Sequence, residues 1–248
     1  QEIGKIFQQG LFFLLLFAAV MFCVSRQYSP LLLRPLIESD AVYAAAIAYL
    51  DWRVYGFFFS FAAVLFRAFY VGTTNTRLLT VNSIVMVLTN IVLNYILIFG
   101  KLGCPALGIA GAAIASSAAE FSSLLFFAIH ARIRGYGKRY GLFRWQGLKF
   151  PILAQIFNVS IWTMLQTFIS TGTWFIFFLT VEHLGERPLA ISNIVRSVSS
   201  ILFVIVSAYS STTSALTSTL MGKKEYDQIM PTVRQIIRLA YQLALPIM

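Results

Sequence analysis

SIVMVLTNIVLNYILIFGKLGCPALGIAGAAIASSA, residues 83–118, contains two apolar runs of helical length separated by a short turn with Gly and Pro. Asn90 and Asn94 lie four residues apart in the first run, so a helix places both amides on one face. An amide in the hydrocarbon region of a membrane must find a hydrogen-bond partner. The pair therefore either joins neighbouring helices or belongs to a polar path.

The composition of the 248 residues is that of a membrane protein. Hydrophobic side chains make up 58% of the chain and charged side chains only 11%, whereas about a quarter of a soluble domain is charged. Apolar stretches of about 18 residues or more recur along the chain, and each can cross a hydrocarbon core of roughly 30 Å as a helix. We predict an all-α polytopic membrane protein with six complete transmembrane helices and part of a seventh.

Polar turns and prolines divide the chain into these helices. Pro30 and Pro35 are expected to end the first one. The six complete helices are predicted at residues 4–28, 43–71, 77–101, 106–131, 154–183 and 189–221, and a seventh starts near residue 228. The chain begins without Met and ends inside an apolar segment, so we expect both ends to be cut.

Residues 132–153 form the longest connector, which is basic and contains no acid. We predict that this loop is cytoplasmic, because positive charge concentrates on that side of a membrane, and that it faces anionic lipid rather than nucleic acid. It would join a partial N-terminal lobe of four helices at 1–131 to a partial C-terminal lobe at 154–248. The latter has two helices and the start of a third.

The sequence contains no enzyme signature. It lacks a paired-His metal motif, a G-x-S-x-G elbow and a phosphate-binding loop, so neither an enzyme nor ATP-driven transport by this chain is expected. Polar groups inside spans are costly and are therefore the functional candidates. Asn90, Asn94 and Ser116 come first, as residues that could line one polar pocket. The candidates for lining a cavity are Arg53, Arg67, Glu120, Gln166, Ser170, Trp174 and Arg196.

Each candidate also has a structural interpretation that the sequence leaves open. Arg53 and Arg67 are close to four helical turns apart and would share a face, yet both lie near membrane edges and can be interfacial anchors. Glu120 lies mid-span, where a carboxylate is paired or protonated. Arg196 can pair with Glu182 across a turn. The polar stripe of Gln166, Ser170 and Trp174 is also compatible with helix packing.

Four segments together resemble the multidrug and toxic compound extrusion (MATE) transporters, particularly Bacteroidetes-type members. NIVLNYILIFGKLGCPALGIAGAAIAS is similar to their fifth and sixth helices, and the resemblance continues through FRAFYVGTTNT, MLQTFISTGTWFIFF and LGERPLAISNIVRS. The resemblance implies two six-helix lobes that export organic cations in exchange for Na⁺ or H⁺. On that mapping the chain holds helices three to eight and part of nine.

The resemblance also implies a first-lobe cation site. The Asn of helix five corresponds to Asn90, the acid of helix five to Asn94 and the Thr of helix six to Ser116, while the acid of helix one lies outside the chain. A Glu on helix seven of some members corresponds to Ser170. Because Asn94 and Ser170 cannot ionise, a coupling proton would have to be carried by Glu120 or by an acid outside the sequence.

The function expected from these observations is a segment of a secondary active efflux transporter that works by alternating access in the bacterial inner membrane. Small organic cations and lipid are the expected partners, no cofactor is expected beyond Na⁺ or H⁺, and the full-length protein is expected to act as a monomer. A lipid-linked oligosaccharide flippase of the same superfamily is one alternative. An inactive truncated membrane protein is the other.

Overall fold

The computed structural model describes residues 2–245 apart from 36, 38, 74, 143–146, 148 and 184, and within helices it leaves out the side chains of residues 2, 179, 182, 183, 186, 201 and 244. In this described part the secondary structure is helical and contains no strand. The chain divides into two compact units, Gln1–Ile156 and Phe157–Met248. The predicted all-α membrane fold is confirmed.

The first unit is built around one central helix. Helix α5 packs against α2, α3 and α4, and α1 packs against α3. The helices of this unit are α1 (Glu2–Leu33), α2 (Asp40–Arg53), α3 (Gly56–Gly72), α4 (Arg77–Phe99), α5 (Gly108–Ile133) and the short α6 (Tyr136–Tyr140).

The second unit contains most of α7 (Phe150–His183), together with α8 (Glu186–Gly222) and α9 (Ile229–Ala244), and α9 packs against α8. Five helices in the described residues are long and apolar enough to cross a membrane, or six if α2 and α3 form one bent span. Helix α9 has only 16 residues, which is below the roughly 20 residues that a membrane span needs.

Two predicted helix boundaries are wrong. Helix α1 continues through Pro30 to Leu33 instead of ending near residue 28, since a single proline removes one backbone hydrogen bond and does not force termination this close to a helix end. The predicted helix at 43–71 is broken after Arg53, and α2 and α3 meet at a bend of 50°. Gly56 begins α3 and is the sequence feature that accompanies the break.

Helices α4 and α5 form a tight antiparallel hairpin. Gly100 ends α4 in the left-handed conformation, with a φ of 65°, which glycine adopts without steric cost. The amide of Leu107 then donates to the carbonyl of Leu97 at 2.9 Å. A Cβ on Gly111 would lie 2.6 Å from that same carbonyl oxygen. The two backbones can therefore approach this closely only because residue 111 has no side chain.

Two buried glutamines near the start of α1 bind the connector that follows α6. The Nε2 atom of Gln8 donates to the carbonyl of Gly141 at 2.9 Å, and that of Gln9 donates to the carbonyl of Gly147 at 2.7 Å. The Oε1 atom of Gln9 accepts from the amide of Lys149 at 3.2 Å. The described part of the connector is thus attached to the first unit.

Candidate functional site

The hairpin of α4 and α5 brings Asn90, Asn94 and Ser116 into one chain of hydrogen bonds. The Nδ2 atom of Asn94 donates to Oδ1 of Asn90 at 2.8 Å. The Nδ2 atom of Asn90 donates to Oγ of Ser116 at 3.3 Å. All three residues are partly buried. The four-residue spacing aligns the two amides on α4, and the antiparallel turn places the hydroxyl of α5 opposite them.

One acceptor in this cluster is left over. The Oδ1 atom of Asn94 is buried and has no hydrogen-bond partner among the described residues. An unpaired buried acceptor costs about 1–3 kcal/mol, so the position favours a donor or a cation. Hard cations such as Na⁺ bind neutral amide and hydroxyl oxygens. The cluster offers such oxygens, but none of its three side chains can take up and release a proton near neutral pH.

A second buried amide lies further along the same face of α4. Asn82 is fully buried, and its Nδ2 atom donates to Oγ of Ser123 at 2.8 Å. Its Oδ1 atom also has no partner within the described structure. Asn82 precedes Asn90 by eight residues, a spacing close to two helical turns, and that periodicity was the available signal for a residue that sequence reasoning did not single out.

Arg53 and Glu120 form an ion pair between α2 and α5. The guanidinium donates to both carboxylate oxygens, from Nη2 to Oε1 at 2.6 Å and from Nη1 to Oε2 at 2.9 Å. The side chain of Arg53 is 26% exposed and that of Glu120 is 17% exposed. This bidentate geometry is the strongest arrangement of the two groups. Glu120, expected to be paired or protonated, is paired in the structure.

The ion pair lies directly against the break between α2 and α3. A Cβ on Gly56 would overlap Nη1 of Arg53 and would lie 2.6 Å from Oε2 of Glu120. The hydroxyl of Ser117 donates to the carbonyl of Trp52 at 3.3 Å, which adds a second link between α2 and α5. Gly56 and Ser117 were missed by sequence reasoning, because their contacts are with residues on another helix.

The inference that Arg53 and Arg67 share one helix face is wrong. It assumed a continuous helix, and the 50° bend lies between the two residues. Arg53 faces Glu120 on α5, whereas Arg67 is exposed on α3. An ion pair joining Arg67 to an acid is absent from the described part of the chain.

The second unit contains a cavity of about 520 Å³ between α7 and α8. Trp174 and Phe178 line it from α7, and Arg196 lines it from α8. The guanidinium carbon of Arg196 lies 4.9 Å from the centre of the Phe178 ring, within the range of a cation-π interaction. The Glu182 side chain, a suggested partner of Arg196, lies outside the described residues.

Gln166 and Ser170 are exposed on α7 and do not line this cavity. They lie eight and four residues before Trp174, so all three occupy one face of the helix. Trp174 and Arg196 therefore line one cavity. Gln166 and Ser170 lie outside it, on the face of α7 that carries Trp174 but farther from the end of the helix.

A bundle of membrane-length apolar helices with amide oxygens, a hydroxyl and an ion pair inside it defines a class of protein. It is a multi-pass membrane protein with a polar intramembrane site, and such sites mark substrate or ion pathways. Comparison with known proteins assigns the chain more narrowly. The sequence model of the family described as MatE matches residues 1–96 and 160–248, and the chain belongs to this family.

Curated relatives agree with this assignment. The chain is 27% identical to a probable multidrug resistance protein NorM of Photorhabdus laumondii over 179 residues, which cover 71% of this chain and 38% of the relative. It is 28% identical to a probable multidrug resistance protein NorM of Synechocystis over 204 residues, with coverages of 82% and 44%. It is 25% identical to the multidrug resistance protein MdtK of Photorhabdus laumondii over 236 residues, with coverages of 89% and 48%.

The chain therefore spans less than half the length of these relatives. Asn90, Asn94, Gln166, Ser170, Trp174 and Arg196 fall within the residues that the family model matches, whereas Ser116 and Glu120 lie between the two matched ranges. The predicted resemblance to the MATE family is confirmed at the level of the family.

Proposed function

We propose that this chain is part of a secondary active multidrug efflux transporter of the bacterial inner membrane. It would contribute helices three to eight and part of nine of a Bacteroidetes-type protein that works as a monomer by alternating access. Small organic cations would be exported in exchange for Na⁺ or H⁺. The relatives named for multidrug resistance support the activity, and the cluster of Asn90, Asn94 and Ser116 supports its coupling to an ion.

The observation that carries the proposal is the unpaired buried Oδ1 atom of Asn94. We assign it to a cation or water held with Asn90 and Ser116. Neutral oxygens are suited to Na⁺ and cannot carry a proton themselves. Glu120 is the carboxylate inside the described bundle that could take up a coupling proton, but its protonation would discharge the partner of Arg53. The cluster therefore favours Na⁺.

In the second unit, Trp174 and the rings around it would contact organic cations through cation-π and apolar contacts. Gln166 and Ser170 would extend this wall along α7. The flippase alternative requires free cationic side chains for a phosphate-bearing lipid substrate. The pairing of Arg53 with Glu120 argues against it. Arg67 is exposed without an ion pair in the described part of the chain, and Arg196 lines the cavity of the second unit, so these two residues do not argue against it.

Asn90→Ala and Asn94→Ala are expected to slow ethidium export by cells that produce the complete gene product. Asn90→Ala removes both hydrogen bonds of the chain, including the interhelical one to Ser116, whereas Asn94→Ala removes the bond to Asn90 within α4. Side-chain hydrogen bonds inside a membrane are worth roughly 0.5–2 kcal/mol, so we expect about a fivefold lower rate for each variant. The dependence of export on external Na⁺ should weaken in parallel. The measurement is the rate of fluorescence decrease in preloaded cells with and without Na⁺.

Thr89→Ala is the matched control. Thr89 is adjacent to Asn90, and its hydroxyl donates within α4 to the carbonyl of Val85 at 2.8 Å. It should leave both the rate and the Na⁺ dependence unchanged. The site assignment is wrong if both Asn variants, produced at normal levels in the membrane, export ethidium with the Na⁺ dependence of the unmodified protein.

A further inference from the structure

Between the end of α5 and the start of α7, five basic residues are exposed on the first unit. We call Arg132, Arg134, Lys138, Arg139 and Lys149 the basic surface. Segment 132–149 contains no acid, and no ion pair in the described part of the chain involves any of these five residues. Arg144 lies outside the described residues. The basic surface therefore carries several positive charges without local compensation.

The basic surface is held in place by α1. Gln8 is 5% exposed and Gln9 is 1% exposed, and both donate to backbone carbonyls of the connector, at Gly141 and Gly147. Burying a primary amide is costly unless it is hydrogen-bonded. These bonds therefore tie the connector to α1, and they fix the backbone on both sides of its undescribed residues.

Helix α6 has two different faces. The rings of Tyr136 and Tyr140 pack edge-on against Phe69 of α3, with ring centres 5.8 Å and 5.4 Å apart. Lys138 and Arg139 are exposed. Tyrosine rings with lysine and arginine beside them are typical of the level at which a membrane protein meets the lipid headgroups.

The length of α1 also indicates that the connector lies at the depth of the lipid headgroups. Its 32 residues extend about 48 Å at 1.5 Å per residue, which exceeds a hydrocarbon core of roughly 30 Å. Gln8 and Gln9 lie about 10 Å from its first residue. Arg132 lies in the last turn of α5. The described part of the connector thus lies beside the ends of two spans, where headgroups are found.

We propose that the basic surface binds the phosphate groups of anionic phospholipids, and that the two glutamines preorganise it to do so. Each exposed lysine or arginine near an anionic membrane surface contributes attraction of about 1 kcal/mol. The general bias of basic residues to one side of a membrane does not require them to be fixed. Two buried glutamines that hold the connector on α1 point to a defined binding surface. This proposal does not depend on the export function.

The test is the preference of the purified complete gene product for phosphatidylglycerol over phosphatidylcholine. Native mass spectrometry of the protein in detergent counts the adducts of each lipid during a titration. The double variant Lys138→Gln with Arg139→Gln is expected to lose this preference by about fivefold for each neutralised charge. The double variant Lys138→Arg with Arg139→Lys keeps both charges and should retain the preference.

Two further double variants distinguish lipid binding by the basic surface from a general effect of the protein's net charge. Lys223→Gln with Lys224→Gln removes two exposed charges beside Glu225 and Asp227, and it should leave the preference unchanged. Gln8→Leu with Gln9→Leu removes no charge but releases the connector, and it should weaken phosphatidylglycerol binding. Circular dichroism establishes that each variant is folded.

The proposal is overturned if the Lys138 and Arg139 variant keeps its preference, or if the Lys223 and Lys224 variant loses as much. Preorganisation is overturned if the folded glutamine variant binds phosphatidylglycerol like the unmodified protein. The charge variants alter exposed side chains and are expected to fold. They therefore test whether the basic surface binds phosphatidylglycerol even if the glutamine variant fails to fold.

Discussion

Glu120→Ala is expected to lower the free energy of unfolding by about 3 kcal/mol, because it leaves the guanidinium of Arg53 without its partner inside the bundle. Removing one member of a buried ion pair typically costs about 3–5 kcal/mol. The exposure of this pair, 26% for Arg53 and 17% for Glu120, places the expected loss at the lower end. The measurement is reversible unfolding of the purified protein in mixed micelles with increasing dodecyl sulfate.

The double variant Arg53→Met with Glu120→Met should be more stable than Glu120→Ala alone. It removes both charges together, and replacing a buried pair by apolar groups is often close to neutral. The single variants Arg53→Met and Glu120→Met complete the double-mutant cycle, and a strong coupling between them would establish that the two side chains act as a pair.

Asp51→Ala provides a control that removes an acid from an exposed ion pair on α2, the helix of Arg53. Asp51 lies 4.0 Å from Arg26, and the two side chains are 53% and 51% exposed. Exposed pairs contribute about 0–1 kcal/mol, so this variant should change stability little. A Glu120→Ala variant as stable as Asp51→Ala would contradict the importance of the ion pair for the fold.

The site on α4 and α5 follows largely from local rules that a sequence contains. Residues four apart lie on one face of any helix, which aligns Asn90 with Asn94. The short turn at residues 100–107 makes α4 and α5 antiparallel neighbours, so α5 packs against α4. The proximity of Ser116 to Asn90 is a consequence of these two facts. Hydrophobic length was likewise sufficient to predict most membrane helices.

Contacts between distant segments could not be predicted in the same way. Arg53 and Glu120 are 67 residues apart, and Gln9 and Gly147 are 138 residues apart. Periodicity indicates which face of a helix is polar but not which helix it meets. The break after Arg53 was missed because both sides of it are apolar and helical, so the hydrophobic pattern is the same with or without a bend.

The role of Gly56 could not be predicted from its position in the sequence. A glycine inside an apolar run is compatible with a bend, with close helix packing or with neither. Only the neighbouring side chains reveal that residue 56 faces Arg53 and Glu120 and must leave room for both. The two buried glutamines of α1 are a similar case, because polar residues near a helix end are usually solvated.

Gly111→Ala is expected to lower the free energy of unfolding by about 1–3 kcal/mol, the usual cost of inserting a group into a packed interface. The new Cβ would lie 2.6 Å from the carbonyl oxygen of Leu97 and 2.7 Å from its carbonyl carbon. These are backbone atoms that cannot rotate away, so α4 and α5 must separate. The same dodecyl sulfate unfolding measurement gives the loss.

Gly172→Ala separates this crowding from the intrinsic effect of replacing glycine in a helix. Gly172 lies inside α7, and apart from its chain neighbours and the nearby backbone of α7, a Cβ there would meet no described atom within 4 Å. Alanine favours the helix over glycine by about 1 kcal/mol, so this variant should be as stable as the unmodified protein or more so. If Gly111→Ala gives the same gain, α4 and α5 are not in the close contact on which the geometry of Asn90 and Ser116 depends. If it destabilises as expected, ethidium export should fall with it, because separating the two helices lengthens the 3.3 Å hydrogen bond between those residues.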